Sequence, residues 1–386
     1  MDISTFTQRK KLRDHLVNLT KELVGFPSHL KEPLKTFELM EFIKSYFEMD
    51  HLNIQSFVHG GVPSMVVTFE ETRHTRVLLS GHIDVVTSAT KFTATEEDGK
   101  LFGTGTLDMK GGVACMMALM KYFVNRDAPP PSLALMITSD EEVGSRNGTE
   151  ILLGKEGYRA NFAIINEGRS RYELVTREKG ILILKLVAMG EYIHSAYPWK
   201  AANPLELLMK TCLELKKLFP KAADRWAPTA TVTIMHGGKE TNTIPGTAEA
   251  YINVRLTDKK THTREKILEK IRAQLPQGIE LFEEMHGEVF IQDPKDIHVQ
   301  LLRKTAESVV GKKLRYGENH GASDARLFMM NNIPAVALGP VGLNHHTPNE
   351  FVEIESLIQH FSVLKDFVEA EEKCSHSVVD GLTERP

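Results

Sequence analysis

The sequence runs to 386 residues, 41% of them hydrophobic and 25% charged, with a formal net charge of −4. That length gives room for two domains of roughly 100–200 residues each, and the composition excludes disordered and fibrous classes. The basic residues are dispersed, which excludes the stripe needed by nucleic acid or an anionic membrane, and no apolar run reaches the ~20 residues of a membrane-spanning helix.

The opening MDISTFTQRKKLRDHL has no apolar stretch behind its charges, so no secretory signal is expected. Cys115, Cys212 and Cys374 are odd in number and widely spaced, which speaks for a reducing compartment and a cytoplasmic location. Apolar residues then recur with a helical period at Leu12, Leu16, Leu19 and Leu23, ending at Gly25 and Pro27. A second helix is expected from about Glu32 to Phe47. Three apolar, β-branched runs follow: VLLSGHID, LALMITSDEE and FAIINEG. A fourth, IPAVALGP, comes near the C-terminus. Each has the character of a strand buried on both faces. DMKGGVACMMALMKYF lies between the first two, with Val113, Met116, Met117 and Met120 at helical spacing. Its methionines are core packing, and Cys115 among them is a poor nucleophile. Strands alternating with helices predict an α/β fold with a mixed, mostly parallel sheet and helices on both faces.

The middle of the chain has a different rhythm. Strand GILILKLVAMG, helix NPLELLMKTCLELKKLF, strands TATVTIMHGG and GTAEAYINVRL, helix REKILEKIRAQL and strand IELFEEMHGEVFI give the order β-α-β-β-α-β of a ferredoxin-like unit. The expected organisation is a catalytic domain in two parts, residues 1–178 and 292–386, with a lid domain inserted at 179–291.

Acids and histidines gather where the four buried runs end: His82 and Asp84; Asp140, Glu141 and Glu142; Glu167; His345 and His346. Asp108 precedes the Met-rich helix. Ligands bind at the carboxyl ends of strands in open α/β sheets, and carboxylates there need a counter-charge because desolvation is costly. Two histidines with three carboxylates suit zinc better than magnesium or calcium. The charges of two divalent ions would balance three carboxylates and one hydroxide, and five ligands for two ions leave catalytic positions open. No H-E-x-x-H motif of single-zinc proteases occurs.

These blocks, SGHIDVV, DGKLFGTGTLDMKGG, TSDEEVGS, NEG, HSAYPW, GASDAR and HHTPNEFV, come in the order and spacing of a known family. The chain resembles the dinuclear zinc amidohydrolases that include acetylornithine deacetylase, succinyl-diaminopimelate desuccinylase, aminoacylase and glutamate carboxypeptidase. The resemblance implies two Zn2+ per subunit, with Co2+ or Mn2+ able to substitute. It implies His82, Asp108 and Glu167 as ligands of one ion, and Asp108, Glu142 and His346 as ligands of the other, so that Asp108 bridges. Asp84 would orient His82, and Glu141 would act as general base toward the metal-bridging water. His345 competes with His346, and the spacing to Pro348 and Glu350 favours His346. The peptide after Asp108 is expected to be cis. On the lid, His194 would act on the oxyanion, reaching across a homodimer formed through the lid domain, and Arg255 and Asn242 would contact substrate.

The implied reaction is hydrolysis of an amide or peptide bond next to a free carboxylate in a small-molecule substrate, as in an N-acyl-amino-acid deacylase or carboxypeptidase. The alternatives are a dipeptidase or aminopeptidase of the same family, and a catalytically silent binding homologue. The metal and base positions are intact, which argues against the last. Glu167, where aminopeptidase-like branches tend to have aspartate, leans toward deacylase or carboxypeptidase action. Two departures, Thr104 where many members have arginine and KAANP where a glycine turn is usual, bear on pocket shape.

Overall fold

In the computed structural model, residues 2–29, 31–86, 91–219 and 225–383 are described, with side chains to residue 373. The chain forms two compact units, one of residues 1–176, 292–317 and 323–386, the other of residues 177–291 and 318–322.

The first unit is built on a sheet whose strands lie in the order Asn53–His59, Val62–Thr68, Leu133–Thr138, His74–His82, Arg159–Ile165, Ala335–Ala337, Leu174–Glu178. The four inner strands are parallel to one another, and antiparallel partners flank them on both sides. Both phases of the inner strands are buried. Val77, Leu79, Leu135, Ile137, Phe162 and Ile164 join one large core, while Leu78, Met136 and Ala163 are equally inaccessible on the alternate phase. Burial on both faces explains why these segments are continuous apolar runs without alternation.

Helices Arg9–Val24, Pro33–Phe47, Lys110–Asn125 and Ile354–Thr383 contribute to the same core. The Met-rich helix lies so close to the central strand that a Cβ on Gly81 would stand 2.5 Å from the Met116 terminal methyl. Met116, Met117 and Met120 are fully buried, and burial pushes the Cys115 thiol far up, away from nucleophilic character. Cys115 and Cys212 are free and buried, and the side chain of Cys374 lies outside those described.

The second unit has the sheet order Thr229–Gly237, Thr247–Leu256, Gly180–Met189, Ile279–Gly287, with every pairing antiparallel. In the two inner strands burial alternates strictly, as a sheet covered on one face requires. Leu182, Leu184, Leu186, Ala250, Ile252 and Val254 pack against Leu208, Cys212 and Leu215 of Pro204–Lys217 and Ile267, Leu268 and Ile271 of Arg264–Arg272. Both helices start at a side-chain cap, Asn203 accepting from the Leu205 N–H and Thr263 from the Lys266 N–H. Connection and spatial order together are those of a ferredoxin-like sheet. No helix among the described residues is long and apolar enough to cross a membrane.

One buried polar chain ties the last helix to the inner strands. The Tyr172 hydroxyl lies 3.0 Å from His360 Nδ1, and His360 Nε2 lies 2.8 Å from Asn166 Oδ1. The Asn166 amide group donates to the carbonyls of Ser80 and Ile164. Its oxygen therefore faces His360, so Nε2 carries the imidazole proton and the tyrosine O–H donates to Nδ1. The network is satisfied only while His360 is neutral, and burial pushes this imidazole down to about 3. The unfolded chain takes up a proton here below about pH 6.5 that the folded chain refuses until about pH 3. The stability contributed by neutral His360 is therefore complete above pH 6.5 and is lost as pH falls toward 3. We expect His360→Gln to be less stable at pH 7.5, by ~1–3 kcal/mol for a broken buried hydrogen bond. It should also lose less stability than the parent between pH 6.5 and 4. Urea-unfolding midpoints of both chelator-treated proteins across that range check this; equal slopes would exclude His360 as the acid-sensitive group.

Candidate metal centre

Because the four inner strands run the same way, their carboxyl ends share one edge of the first unit. His82 is the last residue of its strand and pairs in register with Thr138, two residues before Asp140. Ile165 pairs with Ala337 and is followed by Asn166 and Glu167. Asp108 arrives from the turn before the Met-rich helix. The start of that helix is pressed onto the strand end, since a Cβ on Gly112 would lie 2.4 Å from the Asn166 carbonyl oxygen. The Asp108–Met109 peptide is cis.

Two groups of ligand atoms result, each within a span of 4.8 Å: His82, Asp108 and Glu167, and Asp108, Glu142 and His346. Asp108 is common to both. Its Oδ1 lies 3.1 Å from His82 Nε2 and its Oδ2 lies 3.1 Å from His346 Nε2. Glu142 Oε1 lies 3.0 Å from the same His346 nitrogen, and Glu167 Oε2 lies 4.0 Å from His82 Nε2. His345 belongs to neither group; it is exposed and meets His346 edge to face. His346 adopts a left-handed backbone at φ 63°, a cost of about 1–2 kcal/mol for a residue bearing a Cβ.

His82 and Asp84 are each only 2% exposed. The Asp84 carbonyl oxygen and carboxylate Oδ1 lie 3.0 and 3.3 Å from His82 Nδ1, which fixes the ring with Nε2 turned toward Asp108. The other Asp84 oxygen accepts the Glu142 N–H at 2.9 Å. One carboxylate therefore orients the ends of two neighbouring strands. Glu141 sits beside this group, its Oε2 4.0 Å from His82 Nε2. Burial, opposed by His82 and reinforced by repulsion from Glu167, Asp324 and Asp108, pushes its carboxyl well above the usual range.

The donor chemistry fits divalent first-row ions. Burial pulls the His82 imidazolium down, yet Asp108, Asp84 and Glu141 outweigh it and hold it well above its ordinary value. Asp108 and Glu142 hold His346 up at about 10 despite its partial burial. Both rings thus face a place of strongly negative potential, where two imidazole nitrogens and several carboxylate oxygens converge.

Four residues not given roles from the sequence, Asp140, Asp324, Arg326 and Glu350, frame the site. Asp140 accepts the N–H groups of Asn147 and Gly148, and burial raises its carboxyl to about 6. Asp324, in the GASDAR block, accepts the hydroxyls of Ser145 and Thr149, while Arg326 of that block donates to the Gly144 carbonyl at 3.2 Å. This clamps the loop that follows Glu141 and Glu142. Glu350, used above only as a spacing mark, is 2% exposed and lies against the turn that carries Asp108.

The remaining candidates are on the second unit. His194 ends a two-residue strand whose partner is Thr243, and the Ser195 N–H donates to the Asn242 carbonyl at 2.8 Å, so His194 and Asn242 are neighbours. Arg255 is half-buried on Thr247–Leu256. Burial lowers the basicity of its guanidinium, and among the described residues no carboxylate pairs with it.

A family model described as peptidase family M20/M25/M40 matches residues 78–370. Over 382 aligned residues the chain is 27% identical to a succinyl-diaminopimelate desuccinylase of Rickettsia africae (strain ESF-5), covering 91% of this chain and 98% of that protein. Its fold is similar to that of an M20 family metallo-carboxypeptidase from Sulfolobus solfataricus, with a TM-score of 0.79 at 18% identity over 93% of this chain and 99% of that one. It is also similar to a dinuclear metal-binding peptidase of the M20 family from Bacillus subtilis, with a TM-score of 0.65 at 15% identity over 94% and 99% of the two chains. Matched over most of its length, and carrying two donor clusters at the carboxyl edge of its sheet, the chain is a metal-dependent hydrolase of amide or peptide bonds and belongs to peptidase family M20/M25/M40.

Proposed function

We propose that this enzyme is a two-zinc N-acyl-amino-acid deacylase or carboxypeptidase, cleaving an amide or peptide bond next to a free carboxylate. The observation that carries the reading is the sharing of Asp108 between two donor groups. His82, Asp108 and Glu167 would hold one ion, and Asp108, Glu142 and His346 the other. Bound there, the ions supply Lewis-acid polarisation of the scissile carbonyl and a water acidified to a pKa of ~7. Asp84 keeps the His82 ring in its ligating orientation. Glu141, beside His82 with Oε2 4.0 Å from its Nε2, accepts the proton of the attacking water and passes it to the leaving amine. His194 donates to the developing oxyanion, in a homodimer formed through the second unit, and Asn242 contacts substrate beside it. Arg255, a half-buried guanidinium without a protein counter-ion among the described residues, receives the substrate carboxylate. The 27% identity to a desuccinylase supports an acyl-amino-acid substrate.

The deciding experiment is amine release from N-acetyl, N-succinyl and N-formyl amino acids and from free and amine-blocked dipeptides, with chelator and with added zinc. Zinc-dependent release from amine-blocked substrates is expected; release confined to substrates with a free α-amine would overturn the reading in favour of an aminopeptidase or dipeptidase. Glu141→Gln should keep two metal ions per chain by elemental analysis while turnover falls by ~10²–10⁴, the usual worth of a general base; near-parental turnover would remove Glu141 from that role. Arg255→Ala should lower kcat/KM by about 10–100-fold, the worth of ~1.5–3 kcal/mol for hydrogen bonds to a charged group. The loss should disappear for substrates whose carboxylate is amidated, and an equal loss on both substrates would show that Arg255 does not read the carboxylate.

A further inference from the structure

We infer that Glu350 is a positioning residue that sets the shared carboxylate of Asp108 by gripping the backbone of the turn beneath it. This rests on the two-metal reading above. Its Oε2 accepts the Gly105 N–H at 2.9 Å, and its Oε1 accepts the N–H groups of Leu107 at 2.8 Å and Asp108 at 3.0 Å. Its backbone carbonyl takes the Gly103 N–H at 3.0 Å. Three converging N–H donors at a buried carboxylate specify an acceptor-only side chain. Beside this turn the fully buried Lys110 Nζ donates to the Phe26 carbonyl at 2.8 Å.

The grip matters because, among the described residues, Asp108 has no orienting partner besides the two histidines that would share its ions. Among the described residues its two carboxylate oxygens meet only the imidazoles of His82 and His346. Among the described residues no group besides those two rings aims it, as Asp84 aims His82. With ligands on both sides at 3.1 Å, its direction depends on where its own backbone is held. Glu350 is four residues beyond His346, and its N–H donates to the Thr347 carbonyl at 3.2 Å. The same residue therefore joins the loop bearing one histidine to the turn bearing the ligand that both ions would share.

Glutamine at this position would replace one acceptor by an amide donor facing an N–H, whereas aspartate keeps the charge but shortens the reach. The test is zinc competition against a chromophoric chelator on metal-free parent, Glu350→Gln, Glu350→Asp and Ser356→Ala, with visible spectra of the cobalt-loaded forms and unfolding midpoints. Ser356 caps the neighbouring Val341 N–H without touching the turn. We expect Glu350→Gln to unfold cooperatively yet bind both ions about 10–100-fold more weakly, the usual effect of an outer ligand-orienting group, with altered cobalt bands. Partial recovery is expected in Glu350→Asp, and parental binding in Ser356→Ala. Parental zinc affinity and cobalt bands in folded Glu350→Gln would overturn this inference alone; a parent that takes up no metal would overturn the two-metal reading with it. An equal loss of affinity in Ser356→Ala would reduce Glu350 to general support of the fold. Should Glu350→Gln fail to fold, Glu350→Asp carries the comparison. Amide hydrogen exchange in the parent gives a test independent of any variant, since rapid exchange at Gly105, Leu107 and Asp108 would overturn the grip.

Discussion

The carboxylates of Asp108, Glu141, Glu142 and Glu167 stand with two imidazoles where a sheet buried on both faces ends. Their mutual repulsion and desolvation constrain everything around them. Taking one such ion out of water costs several kcal/mol unless it is paired, and the two histidines provide the pairing along the line through Asp108. The carboxyl of Asp108 is held far below its usual range by His346 and His82, against strong desolvation. Glu141, with no comparable partner, is pushed the other way. Such a split between neighbouring carboxyls is consistent with the proposed roles of Asp108 as ligand and Glu141 as proton carrier.

That arrangement explains much of the surrounding architecture. A parallel sheet brings strand ends from distant parts of the chain to one edge, and close helix–strand contacts at Gly81 and Gly112 let the Met-rich helix approach that edge. Small residues are needed there because a Cβ would collide with a methionine methyl or a backbone carbonyl. Outer carboxylates then hold the loops. Asp84 fixes His82 and the Glu142 backbone, while Asp324 fixes the segment after it. The buried Tyr172–His360–Asn166 chain anchors the strand end that continues into Glu167. Apart from His82, the candidate donors stand on turns and loops at that edge, and these outer carboxylates hold several of those loops in place.

Much of this was legible in the sequence, for identifiable reasons. The four inner strands are apolar runs because both their faces are covered, and each is followed by the acid or histidine that the shared edge brings together. The second unit showed its order through strand and helix segments that succeed one another as β-α-β-β-α-β. The antiparallel hairpin of Asn53–His59 and Val62–Thr68 was not read, although Gly60 and Gly61, both with positive φ, mark its turn. Residues that act on backbone far away in sequence were harder to see. Glu350 meets N–H groups more than 240 positions earlier, and Asp324 meets hydroxyls 175 and 179 positions earlier. A carboxylate that accepts backbone N–H groups has no partner residue type that a sequence could display.

The candidate metal donors and Glu141 all belong to the first unit, whereas His194, Asn242 and Arg255 belong to the second. Arg255 carries a desolvation cost that no described carboxylate offsets. Natural proteins seldom keep a half-buried guanidinium unpaired unless a ligand completes it. A substrate carboxylate would supply the missing charge only when bound, so its binding energy is tied to recognition rather than to stability of the free enzyme. Under the proposed function, changes at Arg255, Thr104 or the KAANP turn would alter which substrates are accepted while the charge balance around Asp108 stays as it is. Changes near Asp108 have no such freedom, because each carboxylate there is positioned by the electrostatics of all the others.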